Sequence, residues 1–296
     1  MDRVLLIDGA NSIWRANFSF GGKPLHCQKE DDPALCQCGQ TWDTSCDCCP
    51  HDFVVVFNFF RNLRPQIEDG SPDKCFFALE GRPQFRYDLF ADYKANRIIK
   101  QSAKKETQVK FRRDAGLIID LLQFLPITIA QAANYEADDL IGTLCEDMKD
   151  EILTVISNDS DYIQLLQRGY RNMGIYNPIK KEEMVAPDYP YVAWKCLNGD
   201  KSDNIPALLK PKKALQTIQD PELFREFLAA EENRANFNVN RQLIEFRPVP
   251  PEEILIKEGV RNYAALKEEF AKMQFDSLIV DKAWDKFTST FDCLRY

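Results

Sequence analysis

EILTVISNDSDYIQLL, residues 151–166, begins as a short apolar, β-branched run, breaks at Asp159 and Asp161, and resumes as an amphipathic segment over 160–167. The first half reads as a strand and the second as a helix, with two carboxylates at the junction. Working outward, RVLLIDG (3–9), KCFFALEG (74–81), LPITIAQ (125–131) and RNMGIYN (171–177) repeat the strand signal. Helix-length amphipathic segments at 53–68, 114–125 and 136–150 separate them. This alternation predicts an α/β fold with a mostly parallel central sheet flanked by helices. In such sheets ligands gather at the carboxyl ends of strands. Here those ends carry Asp8-Gly9, Glu80-Gly81 and Asn158-Asp159-Ser160-Asp161, so each of these strands delivers acid to one edge.

After about residue 190 the β signals fade, and helical patterns near 190–198, 211–218, 222–230 and 260–273 predict a helical C-terminal region. The expected division is a core over 1–190 and a helical region over 191–296. Two stretches stand apart within the core: a Cys- and His-rich insert at 21–51 and a basic segment at 82–113.

A chain of 296 residues, 45% hydrophobic and 28% charged, can bury a full core. A run of four apolar residues before Asp8 is too short for a signal-peptide core, and no run reaches membrane-spanning length, which places the expected protein in a cytoplasm. A net charge of -8 argues against a general polyanion binder, so any nucleic acid must be held by local basic patches or by metal ions. His26 and His51 are the only histidines and both flank the Cys-rich segment. Histidine acid–base chemistry therefore has almost no material elsewhere, leaving carboxylates, lysines and metals.

The acids in question are Asp8, Glu80, Glu136, Asp138, Asp139, Asp159, Asp161, Asp200 and Asp203. Taken singly, any of them is more often a cap or a turn former. Glu136, Asp138 and Asp139 fall within four positions before an apolar helical run, which is more than capping alone requires. Carboxylates converging on one cleft repel each other and raise each other's pKa unless divalent cations occupy it, and an all-oxygen set suits Mg²⁺ or Mn²⁺. Two such ions about 4 Å apart can activate a water and stabilise the leaving oxygen of a phosphodiester.

LLIDGAN (5–11), RPQFRYDLFADYKANR (82–97), YEADDLIGTL (135–144), SNDSDYIQLL (157–166) and LNGDKSDNIP (197–206) resemble, in order, the motifs of the 5′-nuclease family. That family includes flap endonucleases, the 5′-nuclease domains of bacterial polymerases and phage 5′–3′ exonucleases. NFNVNRQLIEF (236–246) resembles the segment that follows the family's helical DNA-binding motif. The resemblance implies a PIN-like nuclease core, two Mg²⁺ ions, and cleavage of branched or nicked duplexes bearing 5′ flaps, with RNA–DNA hybrid as a second substrate. It places Asp8, Glu136, Asp138 and Asp139 mainly at the first metal, and Asp159, Asp161 and Asp203 at the second with Asp200 nearby. Asp138 and Asp139 are expected to hold metal while adding no folding stability. Glu80 stands where the family usually has Asp.

Lys94 and Arg97 match residues that touch the scissile phosphate in the family; Tyr93 lies beside them, and Arg86 is either a phosphate-supporting or a structural residue. Lys100, Lys104 and Lys105 continue the basic segment, which the resemblance implies is an arch over single-stranded DNA. GDKSDNIPALLKPKKALQTI (199–218) begins like the family's helix-hairpin-helix but lacks its glycines after the proline, so Lys210, Lys212 and Lys213 would present side chains and amides to phosphate instead.

His26, Cys27, Cys36, Cys38, Cys46, Cys48, Cys49 and His51 offer eight soft ligands within 26 positions. A reducing cytoplasm disfavours disulfides, and thiolate with imidazole suits one or two structural Zn²⁺ ions. The competing readings are an RNA endonuclease of related fold and a catalytically inert, zinc-bearing nucleic-acid scaffold. The compact chain suggests a monomeric, stand-alone enzyme of phage origin.

Overall fold

The computed structural model describes residues 1–18, 53–96 and 105–295, and at 18 and over 105–110 the backbone alone. The zinc-ligand candidates, all within 26–51, lie outside the described residues. So do Arg97, Lys100 and Lys104, and the side chain of Lys105.

In chain order the elements are β1 (Arg3–Asp8), α1 (Gly9–Phe18), α2 (Val54–Gly70), β2 (Lys74–Leu79), α3 (Gln84–Leu89), α4 (Lys105–Leu122), β3 (Thr128–Gln131) and α5 (Ala137–Asp147). Then come β4 (Ile152–Ile156), β5 (Met173–Asn177), β6 (Glu182–Glu183), α6 (Tyr191–Asn198), α7 (Pro211–Gln219), α8 (Pro221–Ala229), α9 (Glu231–Ile244), β7 (Leu255–Glu258), α10 (Tyr263–Lys272) and α11 (Asp281–Ser289). The five strand segments read from the sequence are all present, and the α/β class holds. Between β4 and β5 the segment read as a helix over 160–167 is a 3-10 turn, Ser160–Tyr162, running into one short helix, Ile163–Leu166.

The chain divides into two compact units that interleave in sequence: Met1–Leu79, Lys104–Ala130 and Ile256–Tyr296 form the first, Glu80–Ala103 and Gln131–Leu255 the second. This partition cuts the chain differently from a boundary at residue 190. The helices α6 to α9 belong to the same unit as β4 and β5, whereas α10 and α11 belong with β1 and β2.

In the first unit the strand order is β1-β2-β3-β7. β1 and β2 pair in parallel, Val4 opposite Lys74 through Asp8 opposite Ala78. Every β1 residue after Arg3 is buried, as a strand covered on both faces requires. Phe59, Phe60, Phe77, Phe270, Phe287 and Phe291 fill the core. Phe270 meets Phe60 at 5.1 Å and Phe287 at 5.8 Å between ring centroids, edge to face, and such pairs add about 0.5–1.5 kcal/mol each beyond burial.

In the second unit the order is β6-β5-β4, with β4 and β5 parallel and β6 antiparallel on the edge. The helical layer buries Cys196, Leu197, Ile205, Ala214, Ile218, Phe237, Leu243 and Ile244 around Tyr93. A buried Asn240 crosses this layer, donating through Nδ2 to the carbonyls of Cys196 (2.8 Å) and Pro206 (2.9 Å). It satisfies two backbone acceptors where the chain leaves α6 and turns toward α7.

Candidate active site

The second unit gathers its acids at the start of α5. Glu136 is the N-cap and Asp139 the third helical residue, and the two form a reciprocal capping box, each side chain on the other's backbone N–H. Asp138 projects from the same first turn. Glu136, Asp138 and Asp139 each offer an oxygen within 4.8 Å of the others. Glu80, one residue past β2, accepts the N–H of Ala137 on Oε2 at 3.4 Å, placing a fourth carboxylate at the positive end of the helix. The Glu80 to Gly81 turn is pressed against 132–135: a Cβ on Gly81 would lie 2.0 Å from the carbonyl oxygen of Ala132. Only glycine fits there.

Arg86, 1% exposed, locks this group. Its Nη1 donates to Glu136 Oε2 (2.8 Å) and Asp139 Oδ2 (2.6 Å), and its Nη2 to Asp139 Oδ1 (2.7 Å). Nε and Nη2 also reach the carbonyls of Leu243 (3.0 Å) and Glu245 (3.4 Å). Burial works against its charge, and Asp139 with Glu136 more than restores it, holding the guanidinium protonated above its ordinary range. A group this enclosed is poorly placed to face a phosphate, which favours the structural one of the two roles read from the sequence.

Asp139 carries four donors: besides Arg86, the N–H of Arg247 reaches Oδ1 at 2.8 Å and that of Glu136 reaches Oδ2 at 3.2 Å. Both oxygens are thus occupied within the fold, which argues against the expectation that Asp139 adds no stability. Asp138 differs: its Oδ1 accepts the N–H of Asp139 (2.8 Å), while burial, then Glu136 and Asp139, push its carboxyl well above the ordinary range. A half-buried carboxylate crowded by two others is what a divalent cation relieves, and the donor set is oxygen throughout.

Lysines link this group to the later acids. Lys94 pairs with Glu136 Oε1 and lies 3.8 Å from Asp203 Oδ2. Tyr93, 2% exposed, donates its hydroxyl to Glu136 Oε2 (2.9 Å) and approaches Asp203 Oδ2 (3.4 Å); burial and then Glu136 keep the phenol protonated. Burial opposes the Glu136 charge, but Lys94 and Arg86 prevail and lower its pKa. Further along, Lys195 pairs with Asp161 Oδ1 and with Asp200 Oδ2 (2.8 Å). Asp200 Oδ1 gathers the N–H and hydroxyl of Ser202, both at 2.7 Å, and the carboxyl sits at about 2, with burial overcome by Lys195. Asp159, exposed beyond β4, caps the following turn by accepting the N–H of Asp161 at 3.0 Å. Arg86 and Lys94 therefore join Asp139, Glu136 and Asp203, and Lys195 separately joins Asp161 and Asp200, with Asp138 and Glu80 beside the first group. Asp8 closes β1 in the other unit, where its Oδ1 accepts the N–H of Asn11 at 3.0 Å.

Lys195 has no counterpart among the sequence candidates. It sits in YVAWKCLN, which reads as an ordinary amphipathic helix, and the only signal for it is its place five residues before Asp200.

Beyond α6 the chain turns at Gly199, φ 69°, where a Cβ would meet the Ala207 nitrogen at 2.6 Å. An open cleft of about 440 Å³ follows, lined by Asn198, Gly199, Lys201 and 207–211. Lys210 is the N-cap of α7, Pro211 its first residue, and Lys212 and Lys213 are exposed in its first turn.

Fold and site together define an α/β protein with an oxygen-rich, cation-bridged acidic centre. The sequence profile of the 5′-3′ exonuclease N-terminal, resolvase-like domain matches residues 3–192, and the chain belongs to that family. It is 30% identical over 240 residues to DNA polymerase I of Lactococcus lactis subsp. lactis, an alignment covering 74% of this chain and 24% of that protein. It is also 30% identical over 178 residues to the 5′-3′ exonuclease of Mycobacterium tuberculosis, 52% of this chain and 56% of the other. The chain thus spans about a quarter of the polymerases it matches. Among solved structures, a bacteriophage T5 flap endonuclease complex with DNA and metal ions superposes with a TM-score of 0.61 at 15% identity, covering 98% and 97% of the two chains. The zinc-bound T5 5′-exonuclease gives a TM-score of 0.58 at 16% identity, with 98% of each chain covered. These likenesses are of fold.

Proposed function

We propose that the chain is a divalent-cation-dependent 5′-nuclease that hydrolyses phosphodiesters in branched or nicked DNA carrying a 5′ flap, with RNA-primed duplex as a further substrate. The observation that carries this reading is the group of three carboxylates, Glu136, Asp138 and Asp139, within 4.8 Å and flanked by Lys94. Glu136 and Asp138, with Glu80, would hold one Mg²⁺ or Mn²⁺; Asp159, Asp161 and Asp203 would hold a second. For Asp8 the assignment rests on its motif. Bound cations of this kind supply an activated water and a counter-charge for the leaving oxygen.

The chain's own residues bind and orient. Lys94 presents an ammonium at the acid edge, where it meets the charge developing on the phosphate. Tyr93 fixes the Glu136 carboxylate by its hydroxyl, and Arg86 fixes Glu136 and Asp139 from the buried side. Arg97, with Lys100, Lys104 and Lys105, would draw the single strand inward. Lys210, Lys212 and Lys213 would take duplex phosphates at the start of α7, adding three positive charges and free first-turn amides.

The insert at 26–51 is read as a structural zinc site, to be checked by metal content and thiol titration of reduced, untagged protein. Among the described residues no helix is long and apolar enough to cross a membrane.

The test is cleavage of 5′-flap DNA, RNA-primed duplex and single-stranded RNA, with Mg²⁺ and with EDTA. Flap cleavage that needs Mg²⁺ and falls by roughly 10²–10³ in Lys94→Ala is expected. Tight binding without cleavage would leave the inert scaffold as the better reading.

A further inference from the structure

Lys94 is a non-glycine residue with a left-handed backbone, φ 55°, and Asn204 is another, φ 62°. Asparagine adopts this conformation readily, whereas for lysine it is uncommon and strained. Such a conformation persists only where its surroundings over-determine it. The structure supplies those surroundings from one short loop. The Lys94 N–H donates to the Asp203 carbonyl at 2.9 Å. Asn204 Nδ2 donates to the carbonyl of Asp92 at 3.0 Å, which also receives the N–H of Ala95 at 3.0 Å, so the turn 92–95 is closed and docked by one acceptor. Asn96 Nδ2 returns a bond to Asn204 Oδ1 at 3.1 Å.

The loop on the other side is itself rigid. Asp200 and Ile205 exchange backbone bonds in both directions, at 3.0 and 2.7 Å, and Ile205 is buried in the helical core. Its fixed frame therefore offers both Asn204 hydrogen-bonding groups to the turn. From that turn rises the ammonium that pairs with Glu136 and lies beside Asp203.

We propose that Asn204 is a positioning residue: its side chain fastens the turn 92–96 to the loop 200–205 and so sets the Lys94 ammonium at the acidic centre. The inference rests on the nuclease reading for what Lys94 does, but the fastening is independent of it. In this role Asn204 acts through Lys94 and not on the substrate or a cation directly. It also ties the start of the basic segment to the loop that bears Asp203.

Asn204→Gly separates side chain from backbone, because glycine keeps the left-handed conformation at no cost while removing both side-chain bonds. Asn96→Ala, an exposed change, removes only one. In protein without divalent cation, amide hydrogen exchange at Lys94 should speed up about tenfold in Asn204→Gly, and less in Asn96→Ala, with exchange in β4 and β5 unchanged. In Mg²⁺ the single-turnover cleavage rate of Asn204→Gly should fall about tenfold, with flap-DNA affinity in EDTA within a few-fold of the original. In a Lys94→Ala background the same substitution should cost no further rate. A general structural defect would slow both backgrounds alike.

Unchanged exchange at Lys94 in both variants overturns the fastening, whatever the activity. A full additional rate loss in the Lys94→Ala background overturns its action through Lys94. Wild-type cleavage by Lys94→Ala alone, with faster exchange in Asn204→Gly, would instead overturn the role given to Lys94 and leave the fastening standing.

Discussion

The start of α5 and the loop after α6 both collect carboxylates, yet they balance them with different cations. At α5 the partner is Arg86, whose planar guanidinium makes five hydrogen bonds at 1% exposure. At the later loop it is Lys195, a single ammonium on a flexible stem, shared by Asp161 and Asp200. A forked donor in a fitted socket is part of the architecture; a point charge on a stem can give way when another cation arrives. On the proposed function, the difference separates acids that hold the fold from acids that would hold a ligand. Asp139, saturated by four donors, is of the first kind, and Asp138, pushed up by its neighbours, is of the second.

Removing the fixed cation should have the largest effect. Arg86→Met leaves Asp139 buried without its counter-charge and Glu136 with Lys94 alone, and breaking such a buried pair costs about 3–5 kcal/mol. Asp139→Asn should cost a similar amount by leaving the buried guanidinium with Glu136 as its one direct carboxylate partner. Urea unfolding in EDTA measures both, and saturating Mg²⁺ should not restore either. A loss below about 1 kcal/mol in both variants would erase the contrast, since it would class Arg86 with exposed pairs.

Lys195→Met comes next. It removes a charged hydrogen-bond donor from two carboxylates, which should cost about 1.5–3 kcal/mol in EDTA. Because a divalent cation can take over that charge, the deficit should shrink in saturating Mg²⁺. A deficit that persists unchanged in Mg²⁺ would make Lys195 an architectural cation like Arg86.

Much of this was legible from residue pattern and some was not. The strand runs announced themselves because parallel strands buried on both faces must be continuously apolar, as β1 is. β7, Leu255–Glu258, was passed over because all four of its residues are exposed and LIKE carries no burial pattern. α9 was missed as a helix because EENRANFNVN is polar with four asparagines, poor helix formers, and its helicity is set by packing Phe237, Leu243 and Ile244. At the site, Glu136-x-x-Asp139 has capping-box spacing, so the fold-holding role of Asp139 was visible in principle. The partner that saturates it was not, since Arg86 lies 53 residues away in a segment whose excess of Lys and Arg suggested exposure. Lys195 escaped for the converse reason: a lone lysine in an apolar helix reads as a side chain reaching for solvent.

Asp138→Asn should invert the Asp139 result. Removing a carboxylate whose charge the fold disfavours should leave stability in EDTA at pH 7 equal to or above that of the original. A raised acid contributes stability below its ordinary pKa that is lost as pH rises through its folded value, so at neutral pH the anion is a burden. Mn²⁺ affinity, read by calorimetry, should weaken by more than about tenfold. A destabilised Asp138→Asn with unchanged Mn²⁺ affinity would exchange the roles of the two neighbours.

The smallest effect belongs to Asp200, and its sign is fixed by the direction of its shift. Lys195 holds this carboxyl at about 2, below its ordinary 3.8, against the opposing effect of burial. A lowered acid adds stability that is fully present above the unfolded value and is lost as pH falls through the folded one. The advantage of the original over Asp200→Asn should therefore be constant from neutral pH down to about 5 and shrink between about 4 and 2. It should be modest, because Asp200 is partly open to water and asparagine keeps the Oδ1 that Ser202 needs. Thermal midpoints of the two proteins, taken in EDTA across that range, measure it. Adding Lys195→Met should flatten the difference, since the shift has its main cause in that ammonium. A gap that stays the same at pH 2.5 as at pH 7 would mean the Asp200 charge does no work in the fold, and that the loop is held by the Ser202 and Ile205 hydrogen bonds alone.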